Sequence, residues 1–180
     1  MSRIIVLYAH PNPRRSKVNA RLIEAVGRME EVQVRDLYEL YPNLHVNVAA
    51  EQEALRNASA VVMQFPIYWF SAPALLKEWQ DTVLAKGFAF GPNGTELAGK
   101  PFMLVATTGG EESSYAEGKA HGAEIGAYLK PFEQTARFCG MKLVEPLVVH
   151  GANSLTPLLL SDLAEQYQER LQRLAKKETV

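Results

Sequence analysis

Among its 180 residues the chain has a single cysteine, Cys139. One thiol excludes an intramolecular disulfide and a cysteine-rich metal site. Its place near a helix end reads as buried and inert. Charge of either sign is scarce in excess: 19 Lys and Arg against 20 Asp and Glu give a net charge of −1. That balance offers no electrostatic basis for binding nucleic acid or an anionic membrane. No apolar run approaches the roughly 18 residues of a membrane span. The opening Met1-Ser-Arg-Ile-Ile-Val-Leu-Tyr8 is too short in its apolar part for a signal peptide and leads straight into a strand pattern. It is therefore expected to belong to the fold, with the cytoplasm as the expected compartment. The dinucleotide fingerprint G-x-G-x-x-G, the P-loop and the nucleophile elbow G-x-S-x-G are all missing. The four histidines show no metal-ligand spacing. Without repeats, linkers or low-complexity segments, residues 1–180 read as one domain with a sizeable core.

What is present is an alternation of short apolar runs and helical patterns. Strands are expected at Ile4–Tyr8, Val32–Leu37, Ala60–Phe65, Phe102–Thr107 and Lys142–His150, the last with Pro146 marking an edge or a bulge. Ser16 is placed as the N-cap of a helix carrying Val18, Leu22, Ile23, Val26 and Met29 on one face. Tyr38–Val48 reads as a loop and Ala50–Asn57 as a short helix. Ser71 is expected to cap the next helix, with Pro73 in its first turn and Leu75, Leu76, Trp79, Val83 and Leu84 buried. Phe88–Lys100 reads as a long loop or small hairpin, and Pro131 is expected to open a helix that Gly140 closes. Thr156 and Pro157 begin the last helix. Five strand–helix alternations predict an α/β fold, a five-stranded parallel sheet with helices on both faces.

Open parallel sheets bind ligands beyond the carboxyl ends of their strands, where strand order reverses. In a flavodoxin-like order that point lies between the first and third strands, which directs attention to three loops. The first, His10 to Asn19, ends at a helix N-terminus with Ser16, Lys17, Val18 and Asn19, a setting for one phosphate or for an ordinary capped helix. The second, Pro66-Ile67-Tyr68-Trp69-Phe70-Ser71, has three consecutive aromatics. They suit a flavin ring, partial core packing, or a dimer interface. The third, Thr107-Thr108-Gly109-Gly110, follows a buried strand and precedes Tyr115 and His121. Two glycines let backbone approach a flat ligand closely, and a phenol and imidazole can donate to a developing anion. Taken singly, they are a flexible turn and two loop side chains. His150 ends a strand near the same edge with no partner in sequence, and Arg14 and Arg15 read as facing a 2′-phosphate or simply solvent.

These residues resemble the flavin-dependent NAD(P)H:quinone oxidoreductases of the flavodoxin-like fold, the group of DT-diaphorase. The resemblance is carried by Tyr8-Ala9-His10-Pro11, Ser16–Asn19, Gln64-Phe65-Pro66 through Ser71, Leu75-Leu76-Lys77-Glu78-Trp79, Lys86-Gly87-Phe88-Ala89-Phe90 with Gly99-Lys100, and Thr107–Gly110 with Tyr115 and His121. The stretches Leu37–Pro42, Ala49–Leu55 and Pro131–Gly140 are similar to the small ancillary flavoproteins of glutathione-gated potassium efflux systems. The resemblance implies that His10 and Ser16–Asn19 surround the flavin phosphate and ribityl chain. It implies that Ile67–Phe70 and Thr107–Gly110 hold the isoalloxazine, that Pro66 also belongs to the cofactor site, and that Tyr115 and His121 assist hydride transfer. It further implies FMN rather than the FAD of DT-diaphorase, NAD(P)H as co-substrate, ping-pong transfer to a quinone and a homodimer. No nucleic acid or metal is expected. Two other roles stay open: a regulatory subunit that binds a membrane potassium efflux antiporter, peripheral to the inner face of the cell membrane, and a flavodoxin-type electron carrier. Electron carriers of that type are strongly acidic, and this chain is not.

Overall fold

Largely apolar runs form the central strands of the sheet. In the computed structural model, which describes residues 3–12 and 16–176, the strands are β1 (Arg3–Tyr8), β2 (Val32–Asp36), β3 (Ala58–Pro66), β4 (Pro101–Thr107), β5 (Lys142–Leu143) and β6 (Leu147–Val149). The helices are α1 (Lys17–Val26), α2 (Leu37–Leu40), α3 (Val48–Arg56), α4 (Ala74–Val83), α5 (Ile125–Phe138) and α6 (Pro157–Ala175). Every strand pairing is parallel, in the order β2-β1-β3-β4-β5, with β6 also on β4. This is the flavodoxin-like order, and the chain leaves β1 to one side and returns to β3 on the other. The loops after β1 and β3 therefore diverge and open a crevice at the carboxyl edge.

Strand side chains alternate between two cores, as a period of two requires. Ile4, Val6, Ala60, Val62, Met103 and Val105 pack with Val18, Leu22 and Val26 of α1 and Tyr167 and Leu171 of α6. Ile5, Leu7, Val61, Met63 and Leu104 pack with Leu75, Leu76 and Trp79 of α4 and Leu129 and Phe132 of α5. Ser16 caps α1 and Thr156 caps α6, each accepting a backbone N–H within the first turn, and Pro157 stands in the first turn of α6.

Several boundaries differ from expectation. The strand expected over Lys142–His150 is two pieces, β5 and β6, both on β4, because Pro146 has no N–H to donate to a ladder. Leu37 opens α2 instead of ending β2, since Asp36 accepts the N–H groups of Tyr38 and Glu39 as a cap. Met29 lies beyond α1, which ends at Val26. Ser71 does not cap α4. Its backbone is committed to a turn with Tyr68, Pro73 stands at the cap position, and the Tyr38 hydroxyl accepts the Leu75 N–H at 3.4 Å. Pro131 does not open α5 but lies inside it. The proline removes the bond to the carbonyl of Ala127, four residues earlier, and both residues are exposed, so water can serve that carbonyl. Gly140 does close this helix, with φ +72° and the paired bonds of a Schellman motif, Gly140 N–H to Arg137 O and Met141 N–H to Ala136 O.

One buried polar cluster ties β2, α3 and α4 together. The fully buried Glu51 carboxylate accepts Nε of Arg35 at 2.9 and 3.0 Å, Nε1 of Trp79 at 2.9 Å, and the Tyr41 hydroxyl. The hydrogen bond to Glu51 raises the Arg35 pKa and burial raises that of Tyr41. Lys100, at the opposite end of β4 from the crevice, donates to the carbonyls of Leu55 and Arg56 at 2.6 and 2.8 Å and so closes the end of α3. Those residues of the resemblance serve the scaffold.

Candidate active site

The first loop leads into α1. Ser16 Oγ accepts the Asn19 N–H at 3.2 Å and its Nδ2 at 3.1 Å. Asn19 is buried, and its Nδ2 also donates to Thr107 Oγ1 at 2.7 Å, while Gln64 Nε2 donates to the Asn19 carbonyl at 3.2 Å. The side chains of Gln64, Asn19 and Thr107 thus lash α1 to β3 and β4, and Val18 points into the core. What remains at the helix start is the exposed Lys17 and the N–H groups of Lys17 and Val18, which precede the first intrahelical acceptor. Together with the helix dipole they favour an anion. Beside them His10 is buried, and its Nδ1 accepts the Asn12 N–H at 3.1 Å, so the neutral ring carries its proton on Nε2. Burial lowers the His10 pKa, keeping it neutral. Arg14 and Arg15 lie outside the described residues.

Two buried polar atoms under this crevice have no partner among the described residues: the hydroxyl of Tyr8, at the end of β1, and Oε1 of Gln64, near the end of β3. Burial, then the neighbouring Asp36 and Tyr68, raises the Tyr8 pKa and keeps the phenol protonated. Orphaned polar groups of this kind are uncommon, and polar atoms of water or of a ligand would satisfy them.

The second loop is strained. Pro66 is buried at the end of β3 opposite Thr107, and Ile67 N–H donates to the Thr107 carbonyl at 2.8 Å. Tyr68 and Ser71 then exchange backbone bonds of 2.9 and 3.0 Å across Trp69 and Phe70, whose φ angles are +49° and +64°. These are the φ signs of a type I′ turn, which ordinarily calls for Asn-Gly. The left-handed conformation costs about 1–2 kcal/mol per L-residue. Trp69 is nevertheless 94% exposed and Phe70 48%, so core packing does not offset that cost. Strained residues of this kind cluster at functional sites.

The third loop is a platform. Thr108 N–H donates to Val149 O at 2.9 Å, and the Gly110 carbonyl accepts Gly151 N–H at 3.0 Å. A Cβ on Gly110 would stand 2.3 Å from His121 Nε2 and 3.3 Å from Tyr115 Cε2, so the absence of a side chain is what lets both rings settle there. Tyr115 and His121 are stacked with centroids 4.3 Å apart, presented by the 3₁₀ turn Glu112–Ser114 and by a bond from His121 N–H to Ser114 O of 3.1 Å. Phe70 closes the gap between the second and third loops, 6.1 Å from His121 and 5.3 Å from Tyr128 between ring centres. Tyr128 donates its hydroxyl to the His121 carbonyl.

The structure therefore gathers all three loops at one edge. Lys17, Tyr68, Trp69, Phe70 and Gly109 are exposed at this edge, and Ile67 and Gly110 are half-buried there. Val18, Asn19, Pro66, Thr107 and the Thr108 hydroxyl are turned to the scaffold. Sequence reasoning missed Tyr128, because α5 begins before Pro131, and gave His150 no partner, whereas its Nδ1 lies 3.1 Å from Thr108 Oγ1.

The chain as a whole is similar to known proteins. The chain is 44% identical to the glutathione-regulated potassium-efflux system ancillary protein KefF of Klebsiella pneumoniae, over 93% of this chain and 94% of that one. It superposes on general stress protein 14 from Treponema denticola in complex with FMN with a TM-score of 0.87 at 33% identity, covering 96% of this chain and 99% of the other. It also matches an NADPH-quinone reductase from P. pentosaceus, with a TM-score of 0.85, 31% identity, and coverage of 94% and 97%. The model of the Flavodoxin_2 family, of flavodoxin-like fold, matches residues 2–173, and the chain belongs to that family.

Proposed function

We propose that this protein is an FMN-dependent NAD(P)H:quinone oxidoreductase. The observation that carries the reading is the Gly110 platform, on which an imidazole and a phenol are stacked at the mouth of a crevice walled by exposed aromatics. The donors present suit FMN. A helix N-terminus with Lys17 would hold a phosphate, the orphaned Tyr8 hydroxyl and Gln64 Oε1 offer polar contacts within the crevice, and Trp69 and Phe70 offer flat apolar surface. FMN supplies the capacity to accept and pass on two electrons as a hydride. The chain's own residues orient and stabilise. Gly109 and Gly110 N–H groups and the Tyr115 hydroxyl would face the negative charge that reduction creates, with His121 sharing that charge through Tyr115. Phe70 and Tyr128 hold His121 in place and shield it from water. NAD(P)H and a quinone would use one aromatic-walled site in turn, so no separate dinucleotide fingerprint is needed. A homodimer and a cytoplasmic location accompany this reading.

The test is an absorbance spectrum of the purified protein before and after anaerobic NADPH. Yellow protein that bleaches, and recovers with a quinone, supports the proposal. Protein that stays colourless after added FMN refutes it. The second reading, a subunit that binds and activates a potassium efflux antiporter, is favoured by the 44% identity to an ancillary protein of such a system. Yellow protein that does not bleach but co-purifies with a membrane antiporter would select it. No helix among the described residues is long and apolar enough to cross a membrane.

A further inference from the structure

His150 takes no part in the reading above, yet it stands directly behind the glycine platform. It follows β6, whose last pair is Thr107 with Val149, so the register carries His150 alongside Thr108. Beyond the strands the two segments stay zipped, with Thr108 N–H on Val149 O at 2.9 Å, Ala152 N–H on Thr108 O at 2.9 Å and Gly151 N–H on Gly110 O at 3.0 Å. Within this zipper the buried Thr108 hydroxyl lies 2.8 Å from the Gly110 carbonyl and 3.1 Å from His150 Nδ1. The His150 ring is also 5.2 Å from that of Tyr115.

A hydroxyl has one proton to give. Gly110 O can only accept, so the arrangement that satisfies both contacts has Thr108 donating to Gly110 O and accepting from His150. That requires the proton of a neutral His150 on Nδ1. The alternative, with Nδ1 bare, makes Thr108 choose one acceptor and leaves the other contact unmade, at a cost of order one hydrogen bond. We propose that His150 is a positioning residue: its Nδ1–H directs the Thr108 hydroxyl onto the Gly110 carbonyl, which fixes the peptide on which His121 and Tyr115 rest. The idea rests on the oxidoreductase reading for its catalytic consequence, but its structural content stands by itself.

The test separates donor from ring. His150→Asn keeps an N–H near the Nδ1 position and loses the ring, whereas His150→Phe keeps a ring beside Tyr115 and loses the donor. In the protein without FMN, nitrogen-15 spectra of the wild type should show His150 protonated at Nδ1. The Gly110 amide should shift more in His150→Phe than in His150→Asn. With FMN bound, His150→Phe should slow flavin reduction by NADPH about tenfold, the consequence of one lost neutral hydrogen bond. FMN affinity should stay within about threefold, and His150→Asn should recover most of the rate. A bare Nδ1 overturns the proposal, as does a Phe variant that outperforms Asn, which is the order a packing role demands. Thr108→Val should reproduce His150→Phe, and additive losses in the double variant also overturn it. Wild-type protein that binds no FMN would instead refute the oxidoreductase reading, while the spectra of the FMN-free protein still decide whether His150 holds the platform.

Discussion

Replacing Gly110 by alanine tests the platform most directly. The new Cβ would lie 2.3 Å from His121 Nε2, 3.1 Å from its Cδ2 and 3.3 Å from Tyr115 Cε2. Carbon contacts settle near 3.5 Å, so the imidazole must retreat by roughly 1 Å. Gly110 is not among the residues with positive φ, so alanine strains no backbone. The displaced atoms are the far end of a half-buried side chain, which keeps the loss of stability within about 1 kcal/mol. A displacement of about 1 Å at reacting groups costs on the order of 100-fold in rate. Stopped-flow measurement of flavin bleaching by NADPH should therefore fall by about that factor, with the melting temperature nearly unchanged and FMN affinity within a few-fold. Gly109→Ala is the control. Its nearest neighbour would be Asn153 Nδ2 at 3.6 Å, an ordinary contact, so any loss there reports on a ligand lying against the loop. Gly110→Ala protein that is reduced at the wild-type rate would refute the reasoning.

Four further outcomes follow from the same structure. Tyr115→Phe and His121→Ala should each slow flavin reduction about 10–100-fold while FMN stays bound, and unchanged kinetics in both would remove their role. Glu51→Ala strands Arg35 without its carboxylate and should cost about 3–5 kcal/mol by chemical denaturation, whereas a loss under about 1 kcal/mol would mean the cluster is hydrated and weak. The lowered His10 pKa means that the unfolded chain binds the proton first, so apoprotein stability should be full above the ordinary value of 6.5 and decline as pH falls below it. His10→Asn should flatten that part of the melting-temperature profile, and an unaltered slope would assign it to other groups. Trp69→Asn places a residue tolerant of positive φ in the exposed turn and should leave the melting temperature equal or higher, while FMN binding or turnover falls. A drop in stability would show that Trp69 packs after all.

The sequence by itself determined the architecture. Unbroken runs such as Ile4–Tyr8 and Phe102–Thr107 can satisfy their apolar surface only as strands covered on both faces, and Ser16, Thr156 and Gly140 announce helix ends through local chemistry that needs no tertiary partner. The same locality exposed the three loops and the Tyr115–His121 pair. Only tertiary structure decided how those residues divide their labour. Asn19 and Thr107 read as ligand groups in sequence, yet they bond each other across 88 positions. Pro131 reads as a start signal, but the apolar face from Ile125 to Phe132 carries the helix through it, and Pro131 and Ala127, whose carbonyl is freed, are both exposed. Ser71 reads as the cap of α4, but Pro73 holds that position, and Tyr38 supplies the acceptor for the Leu75 N–H from 37 positions away. Glu51 shows the limit most plainly. A charged residue in a helical run reads as solvated, and only the convergence of Arg35, Tyr41 and Trp79 from β2, the chain after α2 and α4 makes its burial affordable. Periodicity and capping are local and therefore legible, whereas long-range hydrogen bonds depend on which elements the sheet order brings side by side.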